Sequence, residues 1–156
     1  MRFQTAQVLE IADISKDTLR HWKRFIPPIS DIDGRRRQYT LAELVGICLI
    51  AKATQALGFQ ISQFSQHADA LFEKLLTQLP PEGVPQVLCI VPGAIFFGEE
   101  SVLPDADAIA YIKIRPILDH VASALRHEAP PPPKLQLSLP FERTTHTEVP
   151  GLRPRR

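Results

Sequence analysis

The sequence predicts an α+β fold, and three observations carry that prediction. Residues 1–79 hold apolar side chains at helical spacing between sharp capping and stop signals. Residues 84–114 change to short β-rich runs around Pro92-Gly93. Four consecutive prolines, Pro130 to Pro133, then break the chain before an end segment with little periodicity. The expected organisation is a helical head over 1–79, a small α/β unit over 80–128, and a Pro-rich flexible tail over 129–156.

The head opens with Phe3, expected to pack under a first helix. Thr5 is a plausible N-cap, and Ala6, Val8, Leu9 and Ile11 supply the apolar positions. Asp13-Ile14 makes a turn. Ser15 can cap a second helix by accepting from a free backbone N–H near Asp17 or Thr18, and Asp17 places an acid where the helix dipole favours it. Leu19 and Trp22 share one face of this helix, and Phe25 is expected to continue it; Lys16, Arg20, Lys23 and Arg24 lie outside that face. Pro27-Pro28 ends the helix.

Two short helices joined by a few residues form a helix-turn-helix, in which the second helix enters the DNA major groove N-terminal end first. In that setting Ser15 caps the helix beside the DNA, Lys16, Asp17 and Thr18 face base edges, and Arg20 and His21 face a base or a phosphate. A basic helix face alone is as often merely solvated. The next segment favours DNA. Asp33-Gly34, flanked by Ile29, Ile32 and Tyr39, predicts a hairpin tipped by Arg35, Arg36 and Arg37. Arginines on such a wing can grip phosphates or enter the minor groove. Three adjacent like charges repel one another unless an anion partners them.

Thr40-Leu41-Ala42-Glu43 is a capping box opening a strongly apolar third helix, with Gly58 as its stop. A fourth helix is expected from Ser62 to Leu79, with Phe64, Ala68, Leu71, Phe72, Leu75, Leu76 and Leu79 on its apolar face.

Residues 3–64 resemble the DNA-binding head of the MerR family. The resemblance rests on the turn Asp13-Ile14-Ser15, the helix Thr18-Leu19-Arg20-His21-Trp22-Lys23, the wing end Arg37-Gln38-Tyr39, the helix start Ala42-Glu43-Leu44, and the pair Gly58-Phe59. His21 and Trp22 stand where the family usually has two tyrosines, Lys23 where it has an acid, and Pro27-Pro28-Ile29 replaces a Gly-Leu-Ile-type stretch. The resemblance implies a winged helix-turn-helix with Arg20, His21 and the wing arginines on double-stranded DNA. It further implies a homodimer on an inverted repeat, regulation of transcription, and a contact with RNA polymerase. Lys23, Arg24 and Tyr39 belong to the same expected DNA face. The family's long antiparallel dimer helix is not found after Pro80-Pro81.

Instead, Val84–Val91, Ala94–Phe97 and Ala108–Ile114 read as strands, and Pro116–His127 as a helix whose apolar face is Leu118, Val121, Ala122 and Leu125. Leu135, Leu137, Leu139 and Phe141 alternate and could add a strand to a sheet edge.

Charge is unevenly placed. Residues 1–39 carry eight basic and five acidic side chains, a net +3, and residues 61–129 carry four and nine, a net −5. A basic head on an acidic body favours a polyanion for the head. Cys48 and Cys89 each sit alone in apolar surroundings, which predicts two buried free thiols and no zinc site. No cofactor is expected. No phosphate-cradling glycine loop, Gly-x-Ser-x-Gly or His-Glu-x-x-His is present, so an enzyme is disfavoured. With neither a signal-peptide pattern nor an apolar run of about 18 residues, a cytoplasmic address and no membrane partner are expected. Two other readings stay open: a DNA-bending accessory factor of the excisionase kind, and an interaction module that has kept the fold without DNA.

Overall fold

The computed structural model describes residues 1–30, 37–78, 86–99 and 105–128. The head starts with β1 (Arg2–Gln4), α1 (Thr5–Ala12) and α2 (Lys16–Trp22), followed by a 3-10 turn at Pro27–Ile29, β2 (Gln38–Thr40) and α3 (Leu41–Leu57). β1 and β2 pair antiparallel, with Phe3 opposite Tyr39; both side chains are buried. The strand ending at Thr40 therefore pairs with the N-terminus, and Ile29 lies in a 3-10 turn. The expected hairpin built on Ile29 and Tyr39 is corrected accordingly, while its Asp33-Gly34 tip lies outside the described residues.

The caps follow the sequence closely. Gln4 precedes α1, one residue before the expected cap, and its backbone N–H donates to Gln7 Oε1 at 2.8 Å. Ser15 Oγ accepts from the Thr18 N–H at 3.0 Å. Thr40 and Glu43 close the capping box of α3: the Thr40 N–H donates to Glu43 Oε2 at 2.7 Å and the Glu43 N–H to Thr40 Oγ1 at 3.2 Å. Gly58 ends α3 at φ 71°, a left-handed conformation that costs glycine little.

The single long helix expected after Phe59 is instead two: α4 (Ile61–Ser65) and α5 (Ala68–Gln78), separated at Gln66-His67. The break redirects α5 across α3. There Gly46 gives it room, because a Cβ on Gly46 would meet Phe72 Cε1 at 2.4 Å. Leu71, Phe72 and Leu75 are buried in that contact, whereas Leu76 is exposed.

β3 (Gln86–Val91), β4 (Ala94–Glu99) and β5 (Ala110–Lys113) form an antiparallel sheet in the order β4-β3-β5. The Pro92-Gly93 turn joins the first two, with Gly93 at φ 80°. Central β3 is buried from Val87 to Ile90. α6 (Ile114–Glu128) follows β5 directly and packs on α1 and α3. Leu88, Ile90, Ile112, Ile117 and Val121 thus join the same buried cluster as Leu19, Trp22, Leu44 and Ile47. Cys48 and Cys89 are buried free thiols. Among the described residues, no helix is long and apolar enough to cross a membrane. The expected tail over 129–156 lies outside the described residues.

Candidate nucleic-acid interface

α2 is fixed from below by Leu19 and Trp22, both buried. Its opposite side is set by chain geometry alone: Lys16, Asp17, Arg20, His21 and Arg24 are exposed, and Thr18 is half-buried. Ser15 and Thr18 are engaged with each other through their hydroxyls at 2.8 Å, so Ser15 serves first as the cap. Arg20 Nη2 donates to Asp17 Oδ1 at 2.7 Å. Both side chains are more than two-thirds exposed, so this ion pair contributes little to stability and can open to a new anion.

Phe25 departs from the expected inward face. After Trp22 the turn tightens, with the Arg24 N–H donating to the His21 carbonyl and the Phe25 N–H to the Trp22 carbonyl, both three residues back. Ile26 then takes the buried place, and Phe25 lies outward against His21 with ring centroids 5.0 Å apart. An aromatic pair therefore stands beside the basic face.

The turn before α2 is braced on every side. Asp13 is left-handed at φ 51°. The Ile14 N–H donates to the Leu9 carbonyl at 3.1 Å and the Asp13 N–H to the Glu10 carbonyl at 3.3 Å, the paired bonds that close a helix end. Two carbonyls beyond this pair are taken by side chains from elsewhere. Gln55 Nε2 of α3 donates to the Asp13 carbonyl at 3.0 Å, and His120 Nε2 of α6 reaches the Ile11 carbonyl at 2.9 Å. A carbonyl only accepts, so Nε2 carries the proton. Sequence reading missed both braces; nothing local to Gln55 or His120 marks them.

Arg37 and Tyr39, both expected on the DNA face, are engaged within the head. Arg37 is not at a wing tip. Its guanidinium donates through Nη2 to Glu43 Oε1 at 2.8 Å and to the Pro28 carbonyl, and its side chain is 9% exposed. It lies over the Tyr39 ring, 5.1 Å from the centroid, and Lys23 Nζ lies 5.9 Å from the same ring. Tyr39 itself is fully buried. These side chains tie the end of α2, the chain leading into β2 and the start of α3 together, and Arg37 and Tyr39 are largely withdrawn from solvent. The reason is the pairing of β2 with β1, which points Tyr39 into the core, and the capping box, which holds Glu43 where Arg37 can reach it. Arg35 and Arg36 lie outside the described residues.

A family model described as MerR HTH family regulatory protein matches residues 3–71, which runs from β1 into the first turn of α5. No curated protein and no solved structure matches the chain.

Proposed function

Residues 3–71 being the helix-turn-helix head of a MerR-family DNA-binding transcription regulator, we propose that the protein acts as a homodimer in the cytoplasm, reads an inverted-repeat operator, and contacts RNA polymerase there. One observation carries the reading: the exposed basic face of α2, with Lys16, Arg20, His21 and Arg24 outward over buried Leu19 and Trp22. In the major groove Lys16, Asp17 and Thr18 meet base edges. Arg20, released from Asp17, reaches a guanine edge or a phosphate. Arg24 and Lys23 steer the backbone, and Arg35 and Arg36 grip phosphates flanking the site. Arg37 and Tyr39 act one step back, holding the wing segment against α2 and α3.

The α/β unit supports a regulator over a bare DNA-bending head, since it shares its core with the head and reaches the turn before α2 through His120. Retention of fragmented host DNA on the purified full-length protein, at near-physiological salt, tests the proposal. Enrichment of inverted repeats is the expected result. Retention with no common site would reject sequence-specific reading, and no retention would reject DNA binding.

A further inference from the structure

Where α4 stops, the head and the sheet leave a cavity of about 710 Å³ between them. One wall comes from the head and carries Ser62, Gln66 and His67; the other comes from the β3–β4 hairpin and the approach to β5, and carries Ile90, Ile95 and Ile109. We propose that this cavity binds a neutral, amphipathic small molecule, its apolar body against the isoleucines and its hydrogen-bonding end against Ser62, Gln66 and His67.

Three observations define that ligand. The volume lies in the range of ordinary small-molecule sites, about 300–1,000 Å³. Among the described residues, no Asp, Glu, Lys or Arg lines it, so none of these side chains would compensate a strongly charged ligand. The polar groups are concentrated on one wall and the branched apolar ones on the other, which orients a molecule with unlike ends. Ser62 and Gln66 are exposed and four residues apart, so their side chains are accessible to a ligand. Neighbouring Gln63 accepts the Gln60 N–H through Oε1 at 2.8 Å and so has a structural task.

Position gives the site a consequence. Ile90 and Ala110, both lining it, are register partners on β3 and β5. β5 passes directly into α6, whose His120 holds the Ile11 carbonyl in the turn before α2. A ligand that draws the hairpin toward α4 acts on the same continuous run of chain. Occupancy of the cavity stands whether or not α2 reads DNA; only its effect on an operator rests on that reading.

The test is amide-resolved NMR of the full-length protein without DNA, titrated with a set of neutral aromatic fragments and, separately, with short extended peptides. Saturable shifts centred on Gln66, His67, Ile95 and Ile109 from fragments are expected. Ala108→Trp, on the exposed rim, should weaken the best fragment about tenfold or more, and Gln66→Ala should weaken fragments that bear a hydrogen-bonding group. The proposal is overturned if fragments leave these residues unmoved, if only peptides move them, or if both variants bind like the wild type.

Discussion

His120 Nε2 lies 2.9 Å from the carbonyl oxygen of Ile11, so a residue of the last helix completes the end of the first. α1 ends with its Leu9 and Glu10 carbonyls satisfied by the chain that follows. The Ile11 carbonyl lies beyond that closure, and a group from outside the head's first two helices reaches it. The α/β unit thus bears directly on the turn that sets the angle of α2. His120→Ala should lower stability by about 0.5–1.5 kcal/mol, the usual net value of one such hydrogen bond. Thermal unfolding measures the loss, and hydrogen exchange should show faster opening at Asp13 and Ile14 than at the centre of α3. Uniform acceleration across the molecule would mean that His120 supports only the global fold.

Two arginines in one head should behave in opposite ways. Arg37 is nearly buried on Glu43 and the Pro28 carbonyl. Arg37→Ala should cost about 1.5–3 kcal/mol of stability, the range for hydrogen bonds to charged groups. Arg20 is exposed, and its pairing with Asp17 is of the weak surface kind. Arg20→Ala should leave the urea midpoint almost unchanged and reduce specific DNA affinity instead. Equal effects on stability would contradict the inward placement of Arg37.

Gly46→Ala sets helix propensity against packing. Alanine favours the middle of α3 by about 0.5–1 kcal/mol. Its Cβ, however, would sit 2.4 Å from Phe72 Cε1, and overpacking of a core costs about 1–3 kcal/mol. The clash should win, giving a net loss seen as a lower urea midpoint. Gly46→Ala combined with Phe72→Leu should recover part of it. A stabilised single variant would show that α5 moves away from α3 at little cost.

Burial pushes the Cys48 thiol up to about 12, and burial also raises Cys89. Both should stay unreactive toward a disulfide reagent in the native protein near pH 8 and react fully after denaturation. The sign for Cys48 follows from which state binds the proton more tightly. The folded state keeps it, while the unfolded thiol ionises near pH 8.5. Its contribution is therefore fully present below about pH 8.5 and is lost progressively as pH rises toward 12. A pH titration of the urea midpoint should decline in that window, and less so for Cys48→Ala.

Much of the head was legible because its signals are local. Ser15, Thr40 with Glu43, and Gly58 announce helix ends through bonds to residues three to five away, and the structure places caps at all of them. The strands around Pro92-Gly93 were legible for the same reason. What could not be read depends on distant partners. The three-residue strands β1 and β2 are too short to show a period, and their pairing joins residues far apart in the chain. Arg37 resembles any exposed arginine until Glu43, Pro28 and Tyr39 are placed around it. The seven apolar positions after Phe59 keep helical spacing, but spacing does not reveal the break at Gln66-His67. The hydrogen bond from α6 to the end of α1 comes from one histidine among five, and nothing near it in the chain singles it out.

The most direct test of the account compares wild type and Arg20→Ala on two duplexes, one selected by the protein and one scrambled to the same composition, each across a range of salt. If the outer face of α2 reads sequence, Arg20→Ala should lose about 1–3 kcal/mol on the selected duplex and little on the scrambled one, so that their affinity ratio falls by about tenfold or more. A parallel loss on both duplexes with a shallower salt dependence would make Arg20 a phosphate contact alone. No loss on either would contradict the placement of α2 in the groove.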